Sequence, residues 1–178
     1  MDNIELVDYN PKWPSMFTKE AKRLRATLDA DLVLEIEHFG STAIPGLSAK
    51  PIIDILVLVR SIEEAKFNAV RQLEQLGYIF WADNPATDRM LFIKGMPPHG
   101  LQRTHHVHLV DSTSDQWVKR LGFRDFLRAH PEEATRYEAL KKELAIHFKT
   151  DREAYTAGKT SYVEGVLEKA KSEPSHKT

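Results

Sequence analysis

A chain of 178 residues is long enough for one domain that buries roughly 70% of its unfolded surface. It contains no cysteine, which excludes disulfides and thiolate zinc sites. Its 25 basic and 26 acidic residues leave a net charge of −1, a balance that offers no general electrostatic grip on nucleic acid. The opening MDNIELVDYNPKW lacks the basic and apolar runs of a signal peptide. The longest apolar stretch, Ile52 to Val59, is interrupted by Asp54 and is too short to span a bilayer. The expectation is a cytoplasmic protein with no membrane partner. One compositional oddity stands out: four of the eight histidines fall between His99 and His108.

Along the chain, Phe17, Ala21, Leu24 and Leu28 recur at helical spacing and Pro14 suits a first turn, so residues 14–29 are expected to form an amphipathic helix. Residues 32–39 alternate Leu32, Leu34 and Ile36 against Glu35 and Glu37, as in a strand. After the loop GSTAIPGLSAK, residues 51–59 are apolar on both faces except at Asp54, the pattern of a central strand covered on both sides. Ser61 is placed to cap a helix that runs to about Leu76 and ends at Gly77. Short strands follow at 78–81, 90–94 and 104–110. Beyond Ser114 the pattern is helical: Trp117, Leu121 and Phe126 on one helix, Tyr137, Leu140, Leu144 and Phe148 as a stripe on the next, which starts near Pro131, and Tyr162, Val166 and Leu167 on the last. Strands come early and helices late. The expected fold is therefore α+β, a mixed sheet flanked by helices with a helical C-terminal third, in one domain over 1–172 and a frayed tail over 173–178. Arg124, Arg128 and Arg136 are expected to line a solvated face.

Three features carry chemistry. A strand running into Gly40-Ser41 and followed by a carboxylate-bearing strand is a phosphate-handling arrangement, because glycine lets backbone amides approach an anion and the serine hydroxyl adds a donor. The same residues would also suit a simple turn shaped by Gly40, Pro45 and Gly46. Second, an ionised Asp54 within IIDILVLV requires a cation or several donors to compensate it, either a magnesium ion holding substrate phosphates or loop amides. Third, in THHVHLV the side chains of His106 and His108 share one face while His105 lies on the other. If that strand lies beside the Asp54 strand, Asp54, His106 and His108 make a two-histidine, one-carboxylate set suited to zinc, manganese or iron. The alternative is neutral histidines that form hydrogen bonds or contact a ligand phosphate. Lys50, Arg103 and Lys159 stand next to these motifs as candidate phosphate partners, and Glu37 is a candidate extra acid.

EHFGSTAIPGLSAKPIIDILV, RTHHVHLV, FRDFLRAHPEEATRYEALKKELA, YTAGKTSYV and the opening VDYNPKWPSMFTKEA together resemble the GrpB family over nearly the whole chain. That resemblance implies the nucleotidyltransferase superfamily, whose hallmark is a Gly-Ser pair followed by an Asp-x-Asp or Asp-x-Glu strand. It also implies a nucleotide-like ligand, since a related domain occurs attached to some dephospho-coenzyme A kinases. The twelve residues Thr42 to Ile53 between Ser41 and Asp54 fit the hallmark. Leu56 departs from it. Residues two apart on a strand share a face, so a carboxylate at that position would complete a two-metal site. With Leu56 there, the usual pair of ions cannot be held in the usual way. Three readings follow. One is a nucleotidyltransferase-type enzyme using Mg²⁺ or Mn²⁺, with Zn²⁺ as a further candidate, in which Gly40 and Ser41 hold the triphosphate, Asp54 binds metal and Arg103 or Lys159 neutralises charge. The others are a non-catalytic module for a nucleotide or coenzyme A-like molecule, and a metal-dependent phosphoesterase built on the histidine strand.

Overall fold

A computed structural model describes residues 3–84 and 86–172, so the tail expected over 173–178 lies outside it. Five strands form one mixed sheet: β1 (Val33–Phe39), β2 (Ile53–Val59), β3 (Tyr78–Phe80), β4 (Met90–Lys94) and β5 (His105–Val110), in the order β1-β2-β5-β4-β3. β2 is parallel to β5, while the β1–β2, β4–β5 and β3–β4 pairs are antiparallel. The apolar run with its lone acid thus becomes a strand with a neighbour on each edge. Six helices accompany the sheet: α1 (Trp13–Thr27), α2 (Ile62–Glu74), α3 (Gln116–Ala129), α4 (Pro131–His147), α5 (Arg152–Ala157) and α6 (Thr160–Ser172). The α+β expectation holds. α5 is the one helix that periodicity did not suggest, being too short to display any. Among the described residues no helix is long and apolar enough to cross a membrane.

Local chemistry explains the boundaries. Ser61 caps α2 by accepting a hydrogen bond from the Glu64 amide at 3.2 Å, and Glu63 and Glu64 place negative charge on the first turn. Gly77, at φ 82°, turns the chain from that helix into β3. Pro131 opens α4, with Glu132 and Glu133 in its first turn and His147 in its last.

The two faces of the sheet differ. Ile53, Ile55, Val57, Val107, Leu109 and Phe92 point to the face that α1 and α2 cover with Trp13, Leu24, Leu28, Ala65, Ala69 and Leu73, forming the main core. Within it Glu20 of α1 is buried yet satisfied, accepting from Lys94 Nζ at 2.6 Å, the Tyr78 hydroxyl at 3.0 Å and Arg23 at 3.0 Å. On the opposite face a small cluster of Phe39, Leu56 and Val110 meets Trp117 and Leu121 of α3. A third cluster joins Ile44 and Leu47 of the loop to Phe126, Leu127, Tyr137 and Val166. The later helices therefore cover only part of the second face.

One expectation about these helices fails. Arg124 is buried, at 8% exposure, and does not line a solvated face. Its guanidinium donates to Glu37 at 2.6 Å, to the His38 carbonyl at 2.8 Å and to Asp125 at 2.7 Å, tying α3 to β1. Arg128 likewise donates to the Ala43 carbonyl at 2.9 Å, whereas Arg136 keeps two thirds of its side chain exposed. Charge on a helix surface looks solvated in sequence until a loop carbonyl or a strand acid arrives to meet it. Arg124→Gln leaves Glu37 and a buried carbonyl without their donor, so urea unfolding should show a loss of about 2–3 kcal/mol. Arg136→Gln should stay within about 0.5 kcal/mol of the parent. Equal losses in the two variants would remove Arg124 as a tie between helix and sheet.

Candidate functional site

At one end of the second face β1 ends and β2 and β5 begin. Register decides what meets there. Asp54 lies opposite Phe39 on one side and His106 on the other, and Leu56 lies opposite His108. Because alternate residues share a face, Asp54, Leu56, His106 and His108 form a two-by-two block.

The His106 imidazole donates from Nδ1 to Asp54 Oδ1 at 3.0 Å, with 14% of the histidine side chain and 27% of the aspartate side chain exposed. Its Nε2 is buried without a hydrogen-bond partner, and so is Nδ1 of His108. Asp54, His106 and His108 each present a ligand-type atom within 4.8 Å of the others. Burial works to raise the Asp54 carboxyl, but the hydrogen bond and charge of His106, then Lys50 and Arg120, more than offset it, so the acid is ionised below its ordinary range. Burial, with Arg120, His106 and Arg89 nearby, holds His108 well below the usual imidazole range. A neutral imidazole keeps a lone pair for a metal. The donor set, with buried nitrogens left unmatched, fits a divalent ion of the zinc and manganese class.

Gly40 frames the carboxylate. Its φ of 73° favours glycine, and a Cβ placed there would stand 2.5 Å from Asp54 Oδ2. The absent side chain is the space that the acid occupies. Ser41–Ala43 form a 3-10 turn, pinned because Thr42 Oγ1 donates to the Ile52 carbonyl at 3.3 Å and pairs with His38 Nε2 at 3.0 Å. The Ser41 side chain reaches the hydroxyl of Tyr137, which burial raises above its ordinary range.

Beyond the N-terminal ends of β2 and β5 lies a concentration of cations. Lys50 Nζ sits 5.1 Å and Lys159 Nζ 4.4 Å from the ring centroid of the buried Tyr155. Among the described residues neither ammonium has a hydrogen-bond acceptor or an acid within salt-bridge distance. Burial, then Arg152 and Lys159, lower Lys50 to about 8, and burial lowers Lys159 to about 8. Asp54 opposes both shifts. Arg103 adds to the field at Lys50.

Lys141 is almost fully buried and donates to the Ser48 carbonyl over the Tyr137 ring; burial, with Lys159 nearby, brings it to about 7. The residues singled out in the sequence thus gather at one end of the sheet, with two qualifications. Glu37, expected as an extra acid, is committed to Arg124 at 2.6 Å and is not among the three metal-type groups. Lys141, Tyr155, Arg120 and Arg89 are further residues of this region that sequence pattern does not single out, and Tyr137 is expected from it only as part of an apolar stripe. The apolar stripe expected on α4 ran through Tyr137, Leu140 and Leu144, but the side that is buried is Glu133, Tyr137 and Lys141. A lysine four residues after a core tyrosine was the available signal.

A protein-family model described as GrpB protein matches residues 3–169. A UPF0157 protein of Pseudomonas aeruginosa is 49% identical over 175 residues, which is 98% of this chain and 71% of that protein. The glutamate-rich protein GrpB of Alkalihalophilus pseudofirmus is 39% identical over 92% of this chain and 94% of its own. The crystal structure of the conserved protein GrpB from Enterococcus faecalis shares the fold at a TM-score of 0.82 and 35% identity, over 93% of this chain and 96% of that one. With a family model spanning all the elements of the sheet and relatives that match nine tenths or more of this chain, the chain belongs to the GrpB family.

Proposed function

We propose that the Asp54 end of the sheet binds a nucleoside triphosphate or a related polyphosphate with one divalent metal ion, and transfers its nucleotidyl or phosphoryl group to an acceptor. The observation that carries this reading is the meeting of an ionised acid and two unmatched imidazole nitrogens with a pair of lysines that have no acceptor. Asp54, His106 and His108 would hold the metal. Lys50, Lys159 and Arg103 would neutralise the phosphates, and Ser41 with the amides of the turn after Gly40 would position them. The metal, when bound, supplies Lewis-acid polarisation of a phosphoryl oxygen.

In the transfer an acceptor hydroxyl oxygen forms a bond to phosphorus as the bridging phosphorus–oxygen bond breaks. The electron pair leaves with pyrophosphate, or with the nucleoside diphosphate if the terminal group moves, and the acceptor proton passes to solvent. The chain's own contribution is positioning and charge, which is where catalysis of such loose transition states resides.

Leu56 favours a second reading, in which the same residues hold a nucleotide or coenzyme A-like molecule without turning it over. Metal dependence separates the two. Calorimetric titration of the metal-free protein with Mn²⁺ and with Zn²⁺ should show one site, weakened more than about tenfold in Asp54→Asn and in His106→Ala, since even outer-shell partners are worth that much. ATP with metal should raise the melting temperature beyond the sum of either alone. Stabilisation by ATP that is the same without metal would overturn the transferase reading in favour of the binding module.

The lysines set a pH dependence with a definite sign. Lys50 and Lys159 lie at about 8 and Lys141 at about 7, against 10.5 for an ordinary lysine. Between those values the unfolded chain binds more protons than the folded one, so stability rises with pH there. The ligand-free protein should melt higher at pH 9 than at pH 7. Pyrophosphate at a fixed concentration should stabilise more at pH 7 than at pH 9, because the ammonium charges that grip it disappear above about 8. Scanning fluorimetry across that range checks both, and a melting temperature that falls from pH 7 to 9 without ligand would contradict the buried-lysine account.

A further inference from the structure

The lysine side of the site is half of its charge pattern. β2 and β5 run parallel, and Lys50 and Arg103 both precede them at the same end. A second pair of cations, Arg89 and Arg120, acts on the His108 side of the block. β4 is antiparallel to β5, with Ile93 opposite His106 and Leu91 opposite His108. The alternation that sends Met90 and Phe92 into the main core sends Leu91 and Ile93 to the histidine face, and Arg89 continues that row. Arg89 thus belongs level with Val110, four residues past His106 and about 13 Å farther along the strand direction.

Arg120 reaches the same area from α3. Its guanidinium lies 4.9 Å from the centroid of Phe39, whose ring meets that of His108 edge-on at 5.2 Å. Nε of Arg120 donates to Gln116 at 2.9 Å, and among the described residues its two terminal nitrogens have no acceptor. Among the described residues Arg89 bonds its neighbour Asp88, at 3.2 Å, and its Nε is buried without a partner. Each guanidinium adds to the field at His108; burial, then Arg89, disfavours the charge on Arg120, while Asp54 and Asp88 favour it. Asp88 offsets part of the repulsion, bonding Arg89 at 3.2 Å and favouring the charge on Arg120, yet Nε of Arg89 and the terminal nitrogens of Arg120 keep no acceptor among the described residues, which suits a further anion there.

We infer that the site accepts two separate oxyanions, one at Lys50 and Lys159 and a second at Arg89 and Arg120, both beside the Asp54–His106–His108 set. Resting on the phosphate-transfer reading, this assigns the co-substrate a class: the acceptor carries a phosphate or carboxylate that docks on the arginines while its hydroxyl faces the metal set. Neutral sugars and plain alcohols are then poor acceptors. The geometry also distinguishes the arginines from Arg124, whose donors are already consumed by Glu37, Asp125 and the His38 carbonyl.

The test uses the full chain, freed of metal, titrated with inorganic phosphate in a calorimeter at pH 7. The parent should show two binding events. Lys50→Gln with Lys159→Gln should retain one, and Arg89→Gln with Arg120→Gln should retain the other. Should the double arginine variant fail to fold, Arg89→Gln alone should weaken one event roughly tenfold, the loss expected of a charged hydrogen-bond donor. Arg120→Lys in the same titration should restore part of the affinity lost in Arg120→Gln. A parent with a single event that the lysine substitutions abolish and the arginine substitutions leave unchanged overturns the second anion site while the transferase reading survives. An event lost only with the arginines removes the lysine site from that reading instead, and leaves the arginine site standing.

Discussion

The arrangement depends on one constraint: Asp54 is an ionised carboxylate near the start of a central strand whose other residues are almost all apolar and buried. Left alone, such a charge would protonate or unfold its surroundings. Here it is matched first by His106, then by the fields of Lys50 and Arg120. Gly40 is glycine because the carboxylate occupies the space of its side chain. The turn that follows it is pinned through Thr42 and His38, so the acid and the loop amides keep a fixed relation.

The cations exceed what the acid needs. Asp54 favours the charge on Lys50 and on Lys159 without a salt bridge to either among the described residues, and burial makes each ammonium charge more costly. Such an excess is a standing destabilisation of the empty protein. It is relieved when an anion arrives, which makes it sensible as a binding device and wasteful as a structural one. The Glu20 cluster across the sheet shows the contrast: its acid, lysine, arginine and tyrosine close on one another and leave no donor seeking a ligand.

Much of this was legible in the sequence. The α+β class, all five strands and the longer helices follow from periodicity and from the punctuation of Pro14, Ser61, Gly77 and Pro131. The pairing of the Asp54 strand with the histidine strand was foreseen only as a condition, because periodicity within a strand says nothing about which strand lies beside it. The helical cations were not foreseen at all. Arg124 looked solvated and Arg120 went unremarked, since the strand residues they meet lie more than 80 positions earlier in the chain. Lys141 was hidden for a related reason: a stripe drawn through leucines assumed that α4 buries its most apolar side, whereas it buries Glu133, Tyr137 and Lys141.

Leu56 explains why the histidines must come from a neighbouring strand. A second acid at that position would place both metal ligands on β2, two residues apart. With an apolar residue there, packed against Phe39 and Val110, further ligands have to come from across the sheet. Parallel pairing with β5 provides them in step, His106 beside Asp54 and His108 beside Leu56. The solution has no tolerance for a shift. A slip of one residue would turn His106 and His108 into the α1–α2 core and bring His105 and Val107 to the acid. Val107 and Leu109 lock that register by their complete burial on the opposite face. The core that stabilises the sheet is therefore the same device that aims the imidazoles, and the site inherits its precision from packing on the side of the sheet it never touches.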